Sequence, residues 1–277
     1  YLFFAFLTAF SRVVVGAHYF SDVLGGIAIS FIGFKLTLYL FHKINKEKNI
    51  LTKINFNLDL FFLTFVVFLI SIIFLTVGSS IDIFISDLFY RGGQVFTLQS
   101  FSLMTILARE IFLPFVVLYI LILPIISLYL PLNKIYFGFD FDFKKIIFLW
   151  LSFIFNLVVI VNILLKGFWG RARPNDILEL GGKDFFTPWY EISSACNSNC
   201  SFVSGDASVG FSLIGLFFLT KNKIFFWLAL FSGLFLGLIR ILEGGHFLSD
   251  IVIAGFIILF LSYIQSITCK KMFKNVL

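Results

Sequence analysis

Residues 166–250 contain side chains whose types and spacing suit chemistry on a phosphate ester. Cationic side chains can bind the non-bridging oxygens of a phosphoryl group, backbone N–H groups can surround them, and an imidazole can attack phosphorus. His246 and Asp250 are four residues apart, so on a helix they would share a face, where the carboxylate can fix the tautomer of the ring. The segment supplies these groups in the order Lys166, Arg173-Pro174, Ser204-Gly205-Asp206, Arg240, His246 and Asp250.

The composition predicts a membrane protein. Hydrophobic residues make up 60% of the 277 residues, charged residues make up 13%, and the mean hydropathy is +1.04. A soluble domain of this length needs more polar surface to face water. The net charge of +6 does not indicate nucleic-acid binding, because the basic residues lie at the ends of apolar runs and form no patch. We therefore expect an all-α, polytopic membrane protein with no nucleic-acid partner.

Apolar runs of about 20 residues, the length that crosses a bilayer as a helix, predict where the membrane spans lie. We expect six spans after residue 57, so that residues 58–277 form a core of six transmembrane helices. Residues 79–104 are not predicted to span; they suit either a short helix at the membrane interface or an ordered loop. The predicted spans are roughly 58–77, 107–130, 147–165, 203–220, 224–240 and 250–268.

The N-terminal part of the sequence contains a partial internal repeat. Arg12, His18 and Asp22 have the same spacing as the later Arg-His-Asp group, and both copies share a Gly-x-His sequence. We expect residues 1–41 to be the last two helices of a related domain and the lysine-rich residues 42–57 to be a cytoplasmic linker. Because no cluster of cations precedes this first copy, we expect it to contribute helix packing, with the rest of its domain upstream of the sequence.

The distribution of lysine predicts the orientation of the chain in the membrane. Loops rich in lysine and arginine face the cytoplasm, and counting the predicted spans places the main lysine clusters on one face. The segment that suits phosphate lies on the opposite face, so we expect a bacterial inner-membrane protein whose site faces the periplasm. The lysines of the cytoplasmic face are Lys43, Lys46, Lys48, Lys53, Lys134, Lys144, Lys145, Lys221, Lys223, Lys270, Lys271 and Lys274.

Cys196 and Cys200 lie in one short loop. Such a pair can form part of a metal site, form a disulfide or be incidental. No third and fourth ligands with suitable spacing are visible, so zinc is not expected. On an oxidising periplasmic face a disulfide is permitted, and we expect one here. We expect neither a metal nor a cofactor.

The motifs in residues 166–250 resemble those of the type 2 phosphatidic acid phosphatase superfamily, which includes the vanadium haloperoxidases. The first family motif is Lys, six residues, then Arg-Pro, and it is complete at Lys166 and Arg173-Pro174. The third is Ser-Arg, five residues, His, three residues, Asp. It is complete from Arg240 onward, although Ile239 replaces its leading Ser. The resemblance covers roughly residues 56–277.

The middle family motif, Pro-Ser-Gly-His, is matched only in part. Ser204 and Gly205 are present, but Val203 stands in place of Pro and Asp206 in place of His. In the family that His protonates the leaving oxygen. A carboxyl group could do so if it were kept protonated, but nearby cations favour its ionised form. Good leaving groups, such as the pyrophosphate of a polyprenyl diphosphate or a sugar 1-phosphate, need less acid assistance. Asp206 and Glu243 are both candidates for the replacement acid.

The resemblance implies a metal-independent phosphatase that works through a phosphohistidine. It implies that His246 is the nucleophile, that Asp250 orients it, and that Asp206 occupies the position of the general acid. The phosphate-binding residues that it implies are Lys166, Arg173, Ser204, Gly205 and Arg240.

Three functions remain open at this point. The first is hydrolysis of a lipid phosphate, such as phosphatidate, phosphatidylglycerophosphate, lipid A or a polyprenyl diphosphate. The second is binding or transport of phospholipid without hydrolysis, because the expected acid at position 206 is absent. The third is transfer of phosphate between lipids. In each case the partners are a lipid phosphate and the surrounding membrane lipids.

Overall fold

The computed structural model describes residues 56–98, 102–130, 136 and 139–272. The predicted partial repeat at 1–41 and most of the predicted linker at 42–57 lie outside these residues. The chain divides into two compact units after Gly78. In its described part, the first unit consists of a single helix of 22 residues, α1 (Phe56–Val77). The second unit contains everything that follows.

The second unit is built mainly from helices, in agreement with the predicted class. It also contains a small antiparallel hairpin, in which strand β1 (Tyr90–Gly92) pairs with strand β2 (Val95–Phe96). Single 3-10 turns lie at Pro174–Asp176 and Leu178–Leu180. The helices are α2 (Ser80–Asp87), α3 (Leu103–Leu121), α4 (Leu123–Ile126), α5 (Phe143–Phe168), α6 (Gly205–Phe211), α7 (Ile214–Thr220), α8 (Lys223–Leu242) and α9 (Leu248–Met272).

Among the described residues of the second unit, four helices are long and apolar enough to cross a membrane, as expected of a membrane protein. They are α3, α5, α8 and the part of α9 that ends at Thr268. The span predicted at 203–220 is different: it consists of α6 and α7, which have seven residues each and lie largely buried among the other helices. The first predicted span, 58–77, corresponds to α1 in the other unit. The layout of six spans therefore stays a prediction.

The span predicted at 107–130 begins earlier and ends earlier than expected. Helix α3 starts at Leu103, where the hydroxyl of Ser102 accepts a hydrogen bond from the N–H of Thr105 at 3.2 Å. It ends at Leu121 because Pro124, which has no N–H to continue the helical ladder, follows almost at once. The helix is wider than an α-helix over Leu107–Phe112, where it has π-helical geometry.

Glycine residues allow the helices around α8 to approach one another closely. A Cβ atom on Gly210 of α6 would lie 2.5 Å from the backbone of Ser232 and Gly233 in α8. A Cβ on Gly237 would lie 2.5 Å from the side chain of Ile251 in α9. Small residues at helix contacts are typical of membrane proteins, in which close packing of backbones drives association. These contacts fix the ends of α6, α8 and α9 next to each other.

Helices α5 and α9 are joined by polar side chains within their apolar length. The amide nitrogen of Asn156 donates to Ser262 at 3.2 Å and to Gln265 at 3.3 Å, and the amide nitrogen of Gln265 donates back to Asn156 at 2.9 Å. In an apolar surrounding, amides that satisfy each other are a specific link between two helices. This link sets the position of α5, at whose end Lys166 lies.

Candidate active site

His246 lies just before α9 and Asp250 lies in its first turn, and the relation between them differs from the one expected. His246 precedes the helix, in the turn that follows α8, so the two residues do not share a helix face. Gly244, whose φ of +65° suits glycine, makes this turn possible. Nδ1 of His246 lies 3.6 Å from Oδ2 of Asp250, beyond hydrogen-bond distance. The carboxylate instead accepts a hydrogen bond from the N–H of Phe247 at 2.9 Å.

The imidazole of His246 is buried, with 2% of its surface exposed. Burial lowers the pKa of His246 to about 4, and the positive charges of Arg240 and Lys166 act in the same direction against the opposing effect of Asp250. The ring is therefore neutral near pH 7. A neutral imidazole close to cationic groups has the form needed for attack on phosphorus.

Asp250 is held by a buried network that the sequence motifs do not reveal. Its Oδ1 atom accepts a hydrogen bond from Arg171 at 2.7 Å, and its Oδ2 atom accepts one from the hydroxyl of Ser201 at 2.5 Å. Arg171 is fully buried and also binds Asp82 of α2 at 2.8 Å. The N–H of Ser249 donates to Asp82 at 2.9 Å. The carboxylate beside His246 is thus fixed from several sides.

Lys166 and Arg173 meet at Asn199. Nζ of Lys166 lies 3.5 Å from the side-chain oxygen of Asn199, and Nη2 and Nε of Arg173 donate to its backbone carbonyl at 2.7 and 3.2 Å. Burial, together with the charge of Arg240, lowers the pKa of Arg173. The two cations of the first motif are therefore brought together by a residue outside all three motifs.

The loop that carries Asn199 is closed by a disulfide between Cys196 and Cys200, as expected. Asn199 lies inside this closed loop and has a φ of +51°, a conformation that Asn tolerates better than most residues. The disulfide thus limits the movement of the group that contacts both cations.

Ser204 and Gly205 form the start of α6. The hydroxyl of Ser204 caps the helix by accepting a hydrogen bond from the N–H of Ala207 at 3.4 Å, and the N–H of Ser204 donates to the carbonyl of Asp250 at 3.3 Å. Nζ of Lys166 lies 3.4 Å from the position that a Cβ on Gly205 would take. Glycine at this position therefore leaves room for the ammonium group.

Arg240, at the end of α8, completes the cluster of cations. Its guanidinium packs over Gly245, where a Cβ would lie 2.6 Å from its Cζ atom. It forms an ion pair with Glu243, and its Nε atom lies 3.6 Å from Oδ2 of Asp206. A second arginine, Arg109 of α3, donates to the same oxygen of Asp206 at 3.1 Å.

The structure thus brings the residues of the three motifs into one region. Sequence reasoning did not identify Arg109, Arg171 and Asp82 as part of it, nor Asn199. One signal was available for Arg109, since an ionisable residue within an apolar span indicates a functional site. The others carry no periodic signal. Among the described residues, no group of three or more His, Cys, Asp or Glu side chains is placed to hold a metal ion.

Comparison with known proteins agrees with the motifs. Three curated relatives are each named lipid A 4'-phosphatase. The protein of Francisella tularensis subsp. novicida is 44% identical over 101 residues, which is 35% of this chain and 46% of that protein. Those of Rhizobium leguminosarum and Rhizobium etli are 36% and 34% identical over 99 residues, which is 35% of this chain and 42% and 38% of theirs. The matches thus span less than half of each relative.

No solved structure matches the chain significantly. The sequence model of the PAP2 superfamily matches residues 1–46 and 147–273, which together are well over half of the chain. The second of these ranges includes every residue of the three motifs. The chain therefore belongs to the PAP2 superfamily.

Proposed function

We propose that this chain is an integral-membrane phosphatase that removes a phosphoryl group from a lipid through a phosphohistidine at His246. The observation that carries this proposal is a buried imidazole in the same region as three cations, two from the first motif and one from the third. These are Lys166, Arg173 and Arg240. A cluster of this kind suits an anion with several equatorial oxygens, such as a phosphoryl group in transfer.

The proposed reaction has two steps. Because Nδ1 of His246 faces Asp250, Nε2 is the nitrogen left to attack phosphorus. The bond between phosphorus and the lipid oxygen breaks, and that oxygen takes a proton from water or from an acidic side chain and leaves as an alcohol. Water then attacks the phosphohistidine and gives up a proton, so that inorganic phosphate is released and the neutral imidazole is restored. In both steps the cations stabilise the charge that builds up on the equatorial oxygens.

The leaving oxygen needs a proton, and two carboxyl groups beside the cations could supply it. Asp206 and Glu243 are the two candidates for the acid. Both carboxylates bind guanidinium groups: Asp206 contacts Arg109 and Arg240, and Glu243 contacts Arg240. We therefore propose that electrostatic stabilisation by the cations does most of the work on the leaving group.

The relatives point to a phosphorylated glycolipid as the substrate to test first. All three are named for the 4'-phosphate of lipid A. We propose a lipid of this class, with the site at the periplasmic face of a bacterial inner membrane. The orientation rests on the lysine distribution. Phosphatidate, phosphatidylglycerophosphate and a polyprenyl diphosphate are the other substrates to compare.

The test is phosphate release by the purified chain from these four lipids and from p-nitrophenyl phosphate. We expect turnover of at least one lipid phosphate, and we expect His246→Ala to abolish it while orthovanadate still binds, because the three cations remain. His18→Ala, the equivalent change in the first copy of the motif, is the matched control and should retain activity within a few-fold. Wild-type protein that binds vanadate but hydrolyses no lipid phosphate would replace this proposal with a binding or transport function.

A second comparison tests the role of Asp206. If Asp206 donates the proton, Asp206→Asn should slow hydrolysis of a lipid alkoxide far more than that of p-nitrophenyl phosphate, whose leaving group needs little acid assistance. Asp206→His, which restores the family residue, should then recover the lipid reaction. Equal slowing of both substrates would exclude Asp206 as the acid.

A further inference from the structure

Arg109 reaches the site because of the way in which α3 packs on α8. Ala108 is buried against Leu236 and Ile239 of α8. One turn further along α3, Phe112 packs edge to face on Phe235, with ring centroids 5.6 Å apart. These contacts place the π-helical part of α3 next to the end of α8 that carries the phosphate-binding arginine. Such wide turns occur frequently at functional sites.

Arg109 and Arg240 share one carboxylate oxygen, but they hold it differently. Nε of Arg109 donates a hydrogen bond to Oδ2 of Asp206 at 3.1 Å. Nε of Arg240 lies 3.6 Å from the same atom, and among the described residues this buried Nε makes no hydrogen bond. The Arg109 side chain is 39% exposed, whereas that of Arg240 is 8% exposed. Asp206 is thus hydrogen-bonded to the more exposed Arg109, and the Nε donor of the buried Arg240 remains available to another group.

We propose that Arg109 is a positioning residue: it holds the carboxylate of Asp206 so that the Nε donor of Arg240 stays available for the phosphoryl group of the substrate. This inference rests on the proposed function, because it assumes that Arg240 binds phosphate. A carboxylate and a phosphoryl group are the same kind of partner for a guanidinium, so they compete for it. Without Arg109, Asp206 would turn to Arg240 and act as an internal competitor of the substrate.

The proposal accounts for a departure from the family motif. Asp206 stands where the family has His, and an ionised carboxylate there would by itself neutralise part of the phosphate-binding charge. Arg109 supplies a compensating charge from a different helix. Glu243 is a second carboxylate on Arg240, but it binds the Nη1 side of the guanidinium and leaves Nε open.

The experiment is a double-mutant cycle of Arg109→Ala and Asp206→Asn, read as the affinity of the purified chain for orthovanadate. We expect Arg109→Ala to weaken vanadate binding about tenfold, the order expected for loss of one charge-assisted hydrogen bond. In the double variant the competing charge is gone, so its affinity should return to within about threefold of that of Asp206→Asn alone. Arg109→Lys, which keeps the charge, should lie between wild type and Arg109→Ala. Arg91→Ala, a change of an exposed arginine in the hairpin, is the matched control and should bind vanadate like wild type.

Two results would overturn the inference. The first is an Arg109→Ala variant that binds vanadate like the wild type. The second is a double variant as weak as Arg109→Ala, which would mean that Arg109 contacts the anion itself or only supports the fold. If Arg109→Ala does not fold, the same cycle is run with Arg109→Gln and judged by the same two results. Vanadate binding does not require turnover, so the cycle can be read even if the wild type hydrolyses no lipid phosphate and the proposed function fails.

Discussion

Nη1 of Arg171 lies 2.7 Å from Oδ1 of Asp250, and neither side chain is exposed to solvent. Asp250 belongs to the motif that also contains His246, whereas Arg171 lies between the two cations of the first motif and is not counted in it. The same guanidinium binds Asp82 at 2.8 Å. One buried cation thus joins the helix α2, the start of α9 and the loop after α5. The position of the carboxylate beside His246 depends on this arginine.

Replacing Arg171 should destabilise the protein more than any change of an exposed arginine. Arg171→Met would leave the buried carboxylates of Asp82 and Asp250 without their common partner, which costs about 3–5 kcal/mol. The measurement is thermal unfolding in detergent, with Arg91→Ala as the control. A melting temperature for Arg171→Met equal to that of the control would contradict the proposed role of this cation.

The two carboxylates bound to Arg171 should differ in their effect on catalysis. Asp82→Asn and Asp250→Asn each remove one charge from the buried cluster, so both should lower the melting temperature. Only Asp250 lies beside His246, so kcat should fall far more in Asp250→Asn than in Asp82→Asn. Equal losses of kcat in the two variants would show that Asp250 acts only through stability.

The low pKa of His246 predicts how activity depends on pH. Because burial lowers this pKa to about 4, the imidazole that we propose as the nucleophile stays neutral well below pH 6.5. With p-nitrophenyl phosphate, we therefore expect kcat/KM, which reports the pKa values of the free enzyme, to show no loss attributable to an imidazole that titrates near 6.5. A fall in kcat/KM that is centred at pH 6.5 and persists in every buffer and with several substrates would contradict a low pKa of His246. A fall that appears in one buffer only would be an effect of that buffer.

The same pKa has a consequence for stability. Between pH 6.5 and about 4, the unfolded chain takes up a proton on His246 that the folded chain does not. The free energy of unfolding therefore has its full value above pH 6.5. It decreases as the pH falls through this window, by on the order of 3 kcal/mol in total. His246→Gln lacks the titrating group, so its melting temperature should fall less steeply over this range. Parallel curves for wild type and variant would be inconsistent with a buried neutral histidine.

The disulfide should matter for phosphate affinity through Asn199. Opening the loop with Cys196→Ser and Cys200→Ser should weaken orthovanadate binding several-fold, because the group that contacts Lys166 and Arg173 is no longer held. The loss of stability should be small, about 2 kcal/mol, since the closed loop is short. Treating the wild type with a reducing agent should reproduce the effect, and the double Ser variant should not respond to that agent. Mass spectrometry of unreduced protein should find neither thiol available for alkylation.

The predicted orientation can be tested by labelling single cysteines. An impermeant thiol reagent should modify Lys183→Cys in intact spheroplasts and leave Lys46→Cys unmodified, because the lysine distribution places position 183 outside and position 46 inside. Both variants should react after the membrane is permeabilised. The reverse pattern in intact spheroplasts would invert the topology and place the site at the cytoplasmic face.

The sequence alone determined the residues of the three motifs and the existence of the apolar helices. Motif spacing is a local property, so the positions of Lys166, Arg173, Arg240 and His246 could be assigned without coordinates. Helix length and composition likewise identify α3, α5, α8 and α9. The helical periodicity was misleading at His246, because Gly244 turns the chain and α9 begins only at Leu248.

Only the tertiary structure decided which charges meet. Arg109 and Asp206 are 97 residues apart, and Arg171 and Asp82 are 89 residues apart. No periodic pattern links residues at such separations, because their contact depends on how whole helices pack. The approach of α3 to α8 brings Arg109 to Asp206, and the folding of the loop after α5 brings Arg171 to both of its carboxylates. The residue types predict the chemistry that we propose for the site, but the partner of each charge is set by helix packing.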